Sequence, residues 1–294
     1  VVIDLSSGEH EIINPGDDFY RKYLSGYGLG AAVITMRQKP KIDPLSPEAH
    51  LGFCSGLLTG TGAYFSGRFM VVGKSPLTGG WGDANSGGKL SVEIKKAGFD
   101  AVFFTGRAKH PVWVSIVDGD IRIHHAKRLW GRDTSATEEE IRKELGDGKA
   151  QVASIGKAGE MLSLISGIVT DGGRIAARSG LGAVMGSKNL KALAVRGKGE
   201  VPVADPDRMK AMNQKFLRGF RKVNPVDSLM LKALNFFAGI IARTGVSVPS
   251  QPSTVKEIMR TYGTSGLTVY SGMTGDSPIK NWSGVGYRDF PGSY

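Results

Sequence analysis

The chain has 294 residues, of which 40% are hydrophobic and 22% are charged. This balance is ordinary for a folded protein with an apolar core, and it disfavours disorder as the default state. The formal net charge is +11, from 38 Lys and Arg against 27 Asp and Glu, so acidic partners are attracted. The basic residues are dispersed and no strip of aromatic and basic side chains stands out, so we predict no nucleic-acid partner.

Glycine and cysteine usage carries more information than the overall balance. The 42 glycines imply many positions where the backbone turns with positive φ or lies close to another segment or a ligand. Cys54 is the single cysteine of the sequence, so this chain cannot hold a cluster by four thiolates. It lies in an apolar run and is expected to be a small buried hydrophobe. No signal peptide is visible and the longest apolar segment, 229–241, is short, so we expect a cytoplasmic protein with no membrane contact.

The first half of the chain is predicted to alternate short strands with helices. A β-hairpin is predicted over 1–13, and the apolar spacing from Asp18 predicts a helix whose second half contains unusual glycines. Another helix is predicted over 89–96, opened by two glycines and ended by Gly98. Further strands are predicted at 51–54, 69–72, 100–104, 112–117, 121–124, 151–155 and 191–195.

Two local patterns in the middle of the chain need interpretation. Ser135 and Glu138 have the spacing of a capping box and predict a helix over 138–145. His124 and His125 could suggest a metal site, but adjacent residues of a strand point to opposite faces. We therefore interpret the two histidines as structural or surface residues.

A domain boundary is predicted near residue 203, where glycine becomes less frequent. Asp205 begins a predicted helix, and further helices are predicted over 227–242 and 255–262. We therefore divide the chain into a domain over 1–203 and the beginning of a helical domain over 204–294, which we expect to be truncated.

The segment 172–191 combines five glycines with four basic residues. Bare backbone N–H groups together with fixed positive charge are what an anionic, phosphate-bearing ligand requires. The alternative is a glycine-rich connection between strands, with its lysines facing solvent. The basic residues are Arg174, Arg178, Lys188 and Lys191.

A second stretch of the same character runs from Gly67 to Gly88. Its residues 85–87 are predicted at the N-terminus of the helix over 89–96, where N–H donors and the helix dipole favour phosphate. Because a phosphate needs several donors at once, we expect the two stretches to meet around one ligand. The alternative is that Gly87 and Gly88 only let the helix pack closely on a strand.

Together, the two stretches resemble the N-terminal domain of the aldehyde ferredoxin oxidoreductase family, the tungsten–pterin enzymes. The resemblance implies an α+β fold in which two packed β-sheets with flanking helices form a base under the pterin. The matching motifs run in family order and are Asp43-Pro-Leu-Ser-Pro47, Leu58-Thr-Gly60, Gly67-Arg68, Lys74-Ser-Pro-Leu-Thr-Gly79, Ala84-Asn-Ser-Gly-Gly88, Ala153-Ser-Ile-Gly156, Ala158-Gly-Glu160 and Gly180–Ala192.

The resemblance also implies a binding site for a tungsten bis-pterin cofactor. Arg68 would bridge pterin and an iron–sulfur cluster. Backbone carbonyls of Asn85 and Ile175 would hold a magnesium ion between two phosphates, which is sound chemistry for a hard cation. No catalytic residue is expected in this chain. The residues implied to bind the cofactor are Arg68, Asn85, Ser86, Gly87, Gly88, Arg174, Ala177, Arg178, Gly180 and Gly182.

The chain departs from the family pattern in two places. The family usually has Ala-Gly-Arg-Gly-Gly where this chain has Ala176-Ala-Arg-Ser-Gly180, which adds two side chains where backbone would approach the ligand. An early Gly-x-Arg-Gly pattern is replaced here by Gly26-Tyr27-Gly28. These departures bear on the geometry of cofactor binding.

The activity that the resemblance implies is oxidation of an aldehyde with water to the carboxylic acid, with electrons passing through a 4Fe-4S cluster to ferredoxin. This chain would carry the cofactor platform only, because the family places its cluster cysteines and acid/base residues beyond the part that matches. A homodimer or a multi-subunit complex is also expected. Two alternatives stay open: a benzoyl-CoA-reductase-type catalytic subunit of the same family, and a non-catalytic subunit that binds pterin or a partner protein.

Overall fold

The structure is a computed structural model that describes residues 1–221, 256, 259–260, 263–267, 271, 283–284 and 289. The chain divides into two compact units, Val1–Ala204 and Asp205–Tyr294. The first unit is described throughout and is built from two six-stranded sheets with flanking helices. Among the described residues, no helix combines the length and apolarity needed to cross a membrane.

The first sheet is formed by strands from the first third of the chain. Its spatial order is β2-β1-β6-β3-β4-β5, so β5 is a free edge. All neighbouring strands are antiparallel except β1 and β6, which are parallel. The strands are β1 (Val2–Asp4), β2 (His10–Glu11), β3 (Leu51–Ser55), β4 (Arg68–Lys74), β5 (Trp81–Gly87) and β6 (Ala101–Thr105).

The second sheet has the order β11-β10-β9-β12-β7-β8, so β11 is a free edge. Strands β7 and β12 are parallel, and the other pairs are antiparallel. Its strands are β7 (Val112–Val117), β8 (Asp120–His125), β9 (Gln151–Ser154), β10 (Ile168–Thr170), β11 (Arg174–Ala176) and β12 (Leu190–Arg196).

The main apolar core lies between the two sheets. Phe53 and Phe104 from the first sheet and Val114 and Leu193 from the second are fully buried in one cluster. The helix Leu181–Ser187 is buried along its whole length and contacts strands of both sheets. The prediction of two packed sheets with flanking helices is therefore confirmed. The helices are α1 (Asp17–Tyr23), α2 (Tyr27–Arg37), α3 (Leu90–Lys96), α4 (Thr134–Leu145), α5 (Lys157–Glu160), α6 (Leu181–Ser187) and α7 (Pro206–Arg221).

The single helix predicted from Asp18 is two helices in the structure. Leu24 and Gly26 both have positive φ, 59° and 60°, which ends α1 and reorients the chain before α2. A Cβ at Gly30 would lie 2.9 Å from the side chain of Val72. The glycine there is explained by close packing of α2 on the outer face of the first sheet.

Other local predictions have mixed outcomes. Cys54 is buried, as expected. His124 stacks on the buried ring of Trp113 and hydrogen-bonds Ser115 Oγ at 2.8 Å, which is a structural role. The predicted capping box is wrong, because the carboxylate of Asp133 accepts the N–H of Ala136 and caps α4 two residues before Ser135.

The second unit is described over α7 and a few later residues. The helix predicted from Asp205 is confirmed by α7. The helix predicted over 227–242 lies outside the described residues. Within 255–262 the structure describes 256, 259 and 260, all three of which are helical.

Candidate functional site

The two glycine-rich stretches meet where the free edges of the two sheets come together. Strand β5 of the first sheet contacts strand β11 of the second. Ser179 Oγ accepts the N–H of Asp83 at 3.1 Å and donates to the carbonyl of Asp83 at 3.0 Å. The N–H of Lys89 donates to Asp171 Oδ1 at 2.7 Å. We call this line of contacts the seam, and it confirms the expected convergence of the two stretches.

Two arginine side chains approach Gly87 at the seam. The guanidinium of Arg68 donates to the side-chain oxygen of Asn85 and, at 3.4 Å, to its carbonyl. A Cβ on Gly87 would lie 3.4 Å from Arg174 Nη1 and 3.6 Å from Arg68 Nη1. Both guanidinium groups therefore flank one position that has no side chain.

The charge of this arginine pair is uncompensated within the part of the chain that the structure describes. No carboxylate there forms an ion pair with Arg68, Arg174 or Arg178. Two like charges held close together repel each other, and a bound anion removes that repulsion. The arrangement is therefore suited to a phosphate or another small anion.

The predicted position of residues 85–87 at a helix N-terminus is wrong. They are the last residues of β5, and Asn85, Ser86 and Gly87 pair with β4 in register. Helix α3 begins only at Leu90. Ser86 is buried and its side chain is turned away from solvent. The conformation here is decided by seven consecutive ladder pairs with β4, and Gly87 and Gly88 do not start a helix.

The carboxylate of Asp171 lies before α3, where the sequence predicts a phosphate. Gly88 has φ +126°, and a Cβ there would lie 2.1 Å from Asp171 Oδ2. The other carboxylate oxygen accepts the N–H of Lys89. The conformational freedom of Gly88 is therefore used to let Asp171 approach, and the negative charge before α3 is supplied by the protein itself.

Two further predicted cofactor glycines approach protein backbone in the structure. A Cβ on Gly180 would lie 2.0 Å from the carbonyl oxygen of Leu164, and one on Gly182 would lie 2.6 Å from that of Gly167. Both glycines let the buried helix α6 pack against the loop 162–167. The close approach seen here is between two chain segments, which is the alternative that the glycine-rich sequence left open.

Half of the positive charge of segment 172–191 is also structural. Lys188 and Lys191 are fully buried. Lys188 Nζ donates to the carbonyls of Pro47 and Gly106 at 3.0 and 3.2 Å. Lys191 Nζ bonds two carbonyls and a carboxylate. The alternative that placed these lysines on a solvent-facing surface is therefore wrong, and the predicted phosphate contacts of Arg174 and Arg178, both exposed, stay a prediction.

Lys188 makes a testable contribution to the pH dependence of stability. Burial, with a smaller effect of the Arg107 charge, lowers the pKa of Lys188 from 10.5 to about 7. Between those two pH values the unfolded chain binds more protons than the folded chain, so this group makes the free energy of unfolding rise with pH. We expect Lys188→Met to remove that rise. Urea unfolding of both proteins at several pH values from 7 to 10 measures the difference, and parallel pH curves would contradict it.

The seam explains in part why residues 176–180 depart from the family's sequence pattern. Ser179 turns its hydroxyl onto the edge of β5, and Ala177 is exposed. Sequence reasoning identified neither Asp171 nor Ser179 as a contact residue. The Asp-Gly-Gly sequence at 171–173 could have indicated a turn, but nothing local indicates partners 82 and 96 residues away.

Comparison with known proteins places this geometry in a family. The family model described as "Aldehyde ferredoxin oxidoreductase, N-terminal domain" matches residues 1–197. The chain is 46% identical over 206 residues to the tungsten-containing aldehyde ferredoxin oxidoreductase of Pyrococcus furiosus, covering 70% of this chain and 34% of that protein. It is 33% identical over 231 residues to the aliphatic sulfonate oxidoreductase, WOR-like subunit, of the same organism, covering 73% and 36%.

A solved structure agrees with these matches. The active site complex BamBC of benzoyl coenzyme A reductase, in complex with 1,5-dienoyl-CoA, superposes with a TM-score of 0.72 and 35% sequence identity, covering 76% of this chain and 35% of that one. This chain spans about a third of the length of the curated relatives that it matches. By the family match, the sequence identities and the shared fold, the chain belongs to the aldehyde ferredoxin oxidoreductase family of tungsten–pterin oxidoreductases and contains its N-terminal domain.

Proposed function

We propose that this chain supplies the cofactor platform of an enzyme that oxidises an aldehyde to a carboxylic acid. The observation that carries the platform part of the proposal is the pair of guanidinium groups without an ion-pair partner, Arg68 and Arg174, beside Gly87, and the aldehyde substrate is proposed from the 46% identical relative. A pterin phosphate fits such a pair, because guanidinium groups bind phosphate through short, charge-assisted hydrogen bonds. The family's tungsten-containing relatives support tungsten as the metal.

The proposed cofactor contacts fall into two kinds. Arg68, Arg174 and Arg178 would supply side-chain donors, while Asn85, Gly87 and Ala177 would contact the cofactor through backbone. Of the remaining predicted positions, Ser86 lies in β5, Gly88 lets Asp171 approach, and Gly180 and Gly182 let α6 pack against the loop 162–167. These residues would act on the cofactor only through the backbone that they position.

Magnesium also belongs to the proposal: the backbone carbonyls of Asn85 and Ile175 would hold it, because a hard cation prefers oxygen ligands. The Asn85 carbonyl already accepts a long hydrogen bond from Arg68 at 3.4 Å. A bond of that length is weak, so the Asn85 carbonyl can exchange it for a cation while Arg68 Nε keeps its hydrogen bond to the Asn85 side chain.

When bound, the tungsten–pterin group supplies two-electron redox chemistry, and this chain's residues bind and orient it. The chain has one thiol, Cys54, and burial raises the pKa of this thiol well above its ordinary value. A buried neutral thiol is a poor iron ligand. We therefore propose that a 4Fe-4S cluster, with ferredoxin as electron acceptor in the cytoplasm, is bound by parts of the enzyme outside this chain.

A second candidate function is favoured by the structural comparison. A benzoyl-CoA-reductase-type subunit would use the same platform for reduction, and the BamBC complex superposes over three quarters of this chain. The two candidates share the platform and differ in the substrate pocket. Assays of the full-length enzyme with aldehydes and with aromatic CoA thioesters separate them.

The test of the platform is the tungsten content of full-length variants. We expect Arg68→Ala and Arg174→Ala to lower tungsten and pterin content about tenfold each, because each removes a charge-assisted contact worth about 1.5–3 kcal/mol. Arg178→Ala is expected to act in the same direction. Metal analysis and pterin fluorescence after release measure both quantities.

The matched control is Arg122→Ala. Arg122 is an exposed arginine of β8 that pairs with Asp120, so the same change there should leave tungsten content unchanged. Circular dichroism and thermal unfolding should show intact folding in all four variants. Wild-type tungsten occupancy in the Arg68 and Arg174 variants would show that these arginines are ordinary solvent-exposed residues with no role in cofactor binding.

A further inference from the structure

The segment that carries Arg174 is fastened to the first sheet at both of its ends. At its start, Asp171 accepts the N–H of Lys89. At its end, the single hydroxyl of Ser179 both accepts from and donates to the backbone of Asp83. Strand β5 is a sheet edge, so Ser179 satisfies the N–H and the carbonyl that Asp83 would otherwise present on that edge.

The fit of Ser179 to this edge depends on local geometry. A Cβ on Gly82 would lie 3.1 Å from Ser179 Cβ, so glycine at 82 leaves room for the serine. Ser179 itself has φ +65°, a conformation that L-residues other than Asn, Asp and Gly adopt only at a cost. A serine held there needs compensation, and the two hydrogen bonds to Asp83 supply it.

The charges of the two arginines oppose the arrangement that Ser179 holds. The guanidinium groups of Arg68 and Arg174 both approach Gly87, and their repulsion drives the two segments apart when no anion is bound.

We propose that Ser179 is a positioning residue that holds the segment 171–179 against β5, so that Arg174 lies beside Arg68 before an anion arrives. The proposal rests on the proposed function, since it assumes that the arginine pair binds the phosphate part of the cofactor. Ser179 then acts by preorganisation: the fraction of molecules with the arginines in place sets the apparent affinity for the anion.

The test uses inorganic pyrophosphate as the probe and the 294-residue chain as the protein. We expect Ser179→Ala to weaken pyrophosphate binding about tenfold, since two hydrogen bonds that favour the bound arrangement are lost. Titration calorimetry measures the affinity. Hydrogen exchange of the Asp83 amide reports the fastening directly and should become faster in the same variant.

Two further variants separate positioning from stability. Ser179→Gly removes the same hydrogen bonds while relieving the cost of positive φ, so it should unfold at a higher temperature than Ser179→Ala yet bind pyrophosphate just as weakly. Ser179→Asn tolerates positive φ and carries both a donor and an acceptor. It should restore most of the affinity.

The outcomes distinguish this inference from the proposed function. If Ser179→Ala and Ser179→Gly bind pyrophosphate as tightly as the wild type while Arg174→Ala does not, the positioning role is wrong and the arginine site stands. If Arg174→Ala binds as tightly as the wild type, or the wild type does not bind, the anion site is wrong and the positioning role falls with it.

Discussion

Replacing Lys191 by methionine is expected to destabilise the first unit by about 3–5 kcal/mol. The ammonium of Lys191 donates to the carbonyls of Arg132 and Ile155 and to Glu160 Oε1, at 2.8, 2.7 and 2.5 Å. The two charged side chains are 0% and 4% exposed. Removing the ammonium leaves the Glu160 carboxylate buried without its counter-charge, with the N–H of Gly131 still donating to Oε2 at 2.8 Å. The loss is a large part of the stability of a typical domain, and denaturant unfolding measures it.

The matched control is a lysine in an exposed ion pair. Lys198 Nζ lies 3.0 Å from Asp118, and its side chain is 73% exposed, so Lys198→Met should change stability little. The double change Lys191→Met with Glu160→Gln should recover part of the loss, because it also removes the unpaired charge. Equal unfolding midpoints for Lys191→Met and Lys198→Met would show that the buried ion pair contributes no more to stability than the exposed one.

The elements that the sequence predicts well are those fixed by local signals. The strands predicted at 112–117 and 121–124 are β7 and β8, which pair antiparallel, and the helix predicted over 89–96 is α3. β7 is an apolar run that is almost wholly buried, and the alternating Ile121 and Ile123 of β8 pack partly buried against the core. In α3, Leu90 and Ile94 are buried at helical spacing. The strand at 85–87 was missed because its conformation depends on pairing with β4.

The candidate site could be predicted only in outline. Because an anion needs several hydrogen-bond donors, the sequence predicts that the glycine-rich stretches 67–88 and 172–191 meet. The seam confirms this prediction. The sequence cannot separate a buried structural lysine from an exposed arginine, because both are basic residues between glycines. Lys188 and Lys191 are buried by contacts with segments more than 30 residues away. Asp171 and Ser179 were missed for the same reason.

Replacing Gly180 by alanine is expected to cost at least about 3 kcal/mol in the chain without cofactor, which distinguishes two roles for this glycine. The first contribution is conformational, since Gly180 has φ +67°. The second is steric, since the new methyl would lie 2.0 Å from the carbonyl oxygen of Leu164 and 3.2 Å from Pro76 Cγ. The buried start of α6 cannot move away without disturbing the core between the sheets.

Gly172→Ala isolates the conformational contribution. Gly172 has φ +69°, and no atom lies within 4 Å of the position that its Cβ would take, so this change should cost only about 1 kcal/mol. Unfolding both variants in the absence of cofactor compares the two costs. If Gly180 is needed for packing, Gly180→Ala is the less stable of the two by about 2 kcal/mol or more. If it is needed only to admit the cofactor, the two variants unfold alike and differ in tungsten content alone.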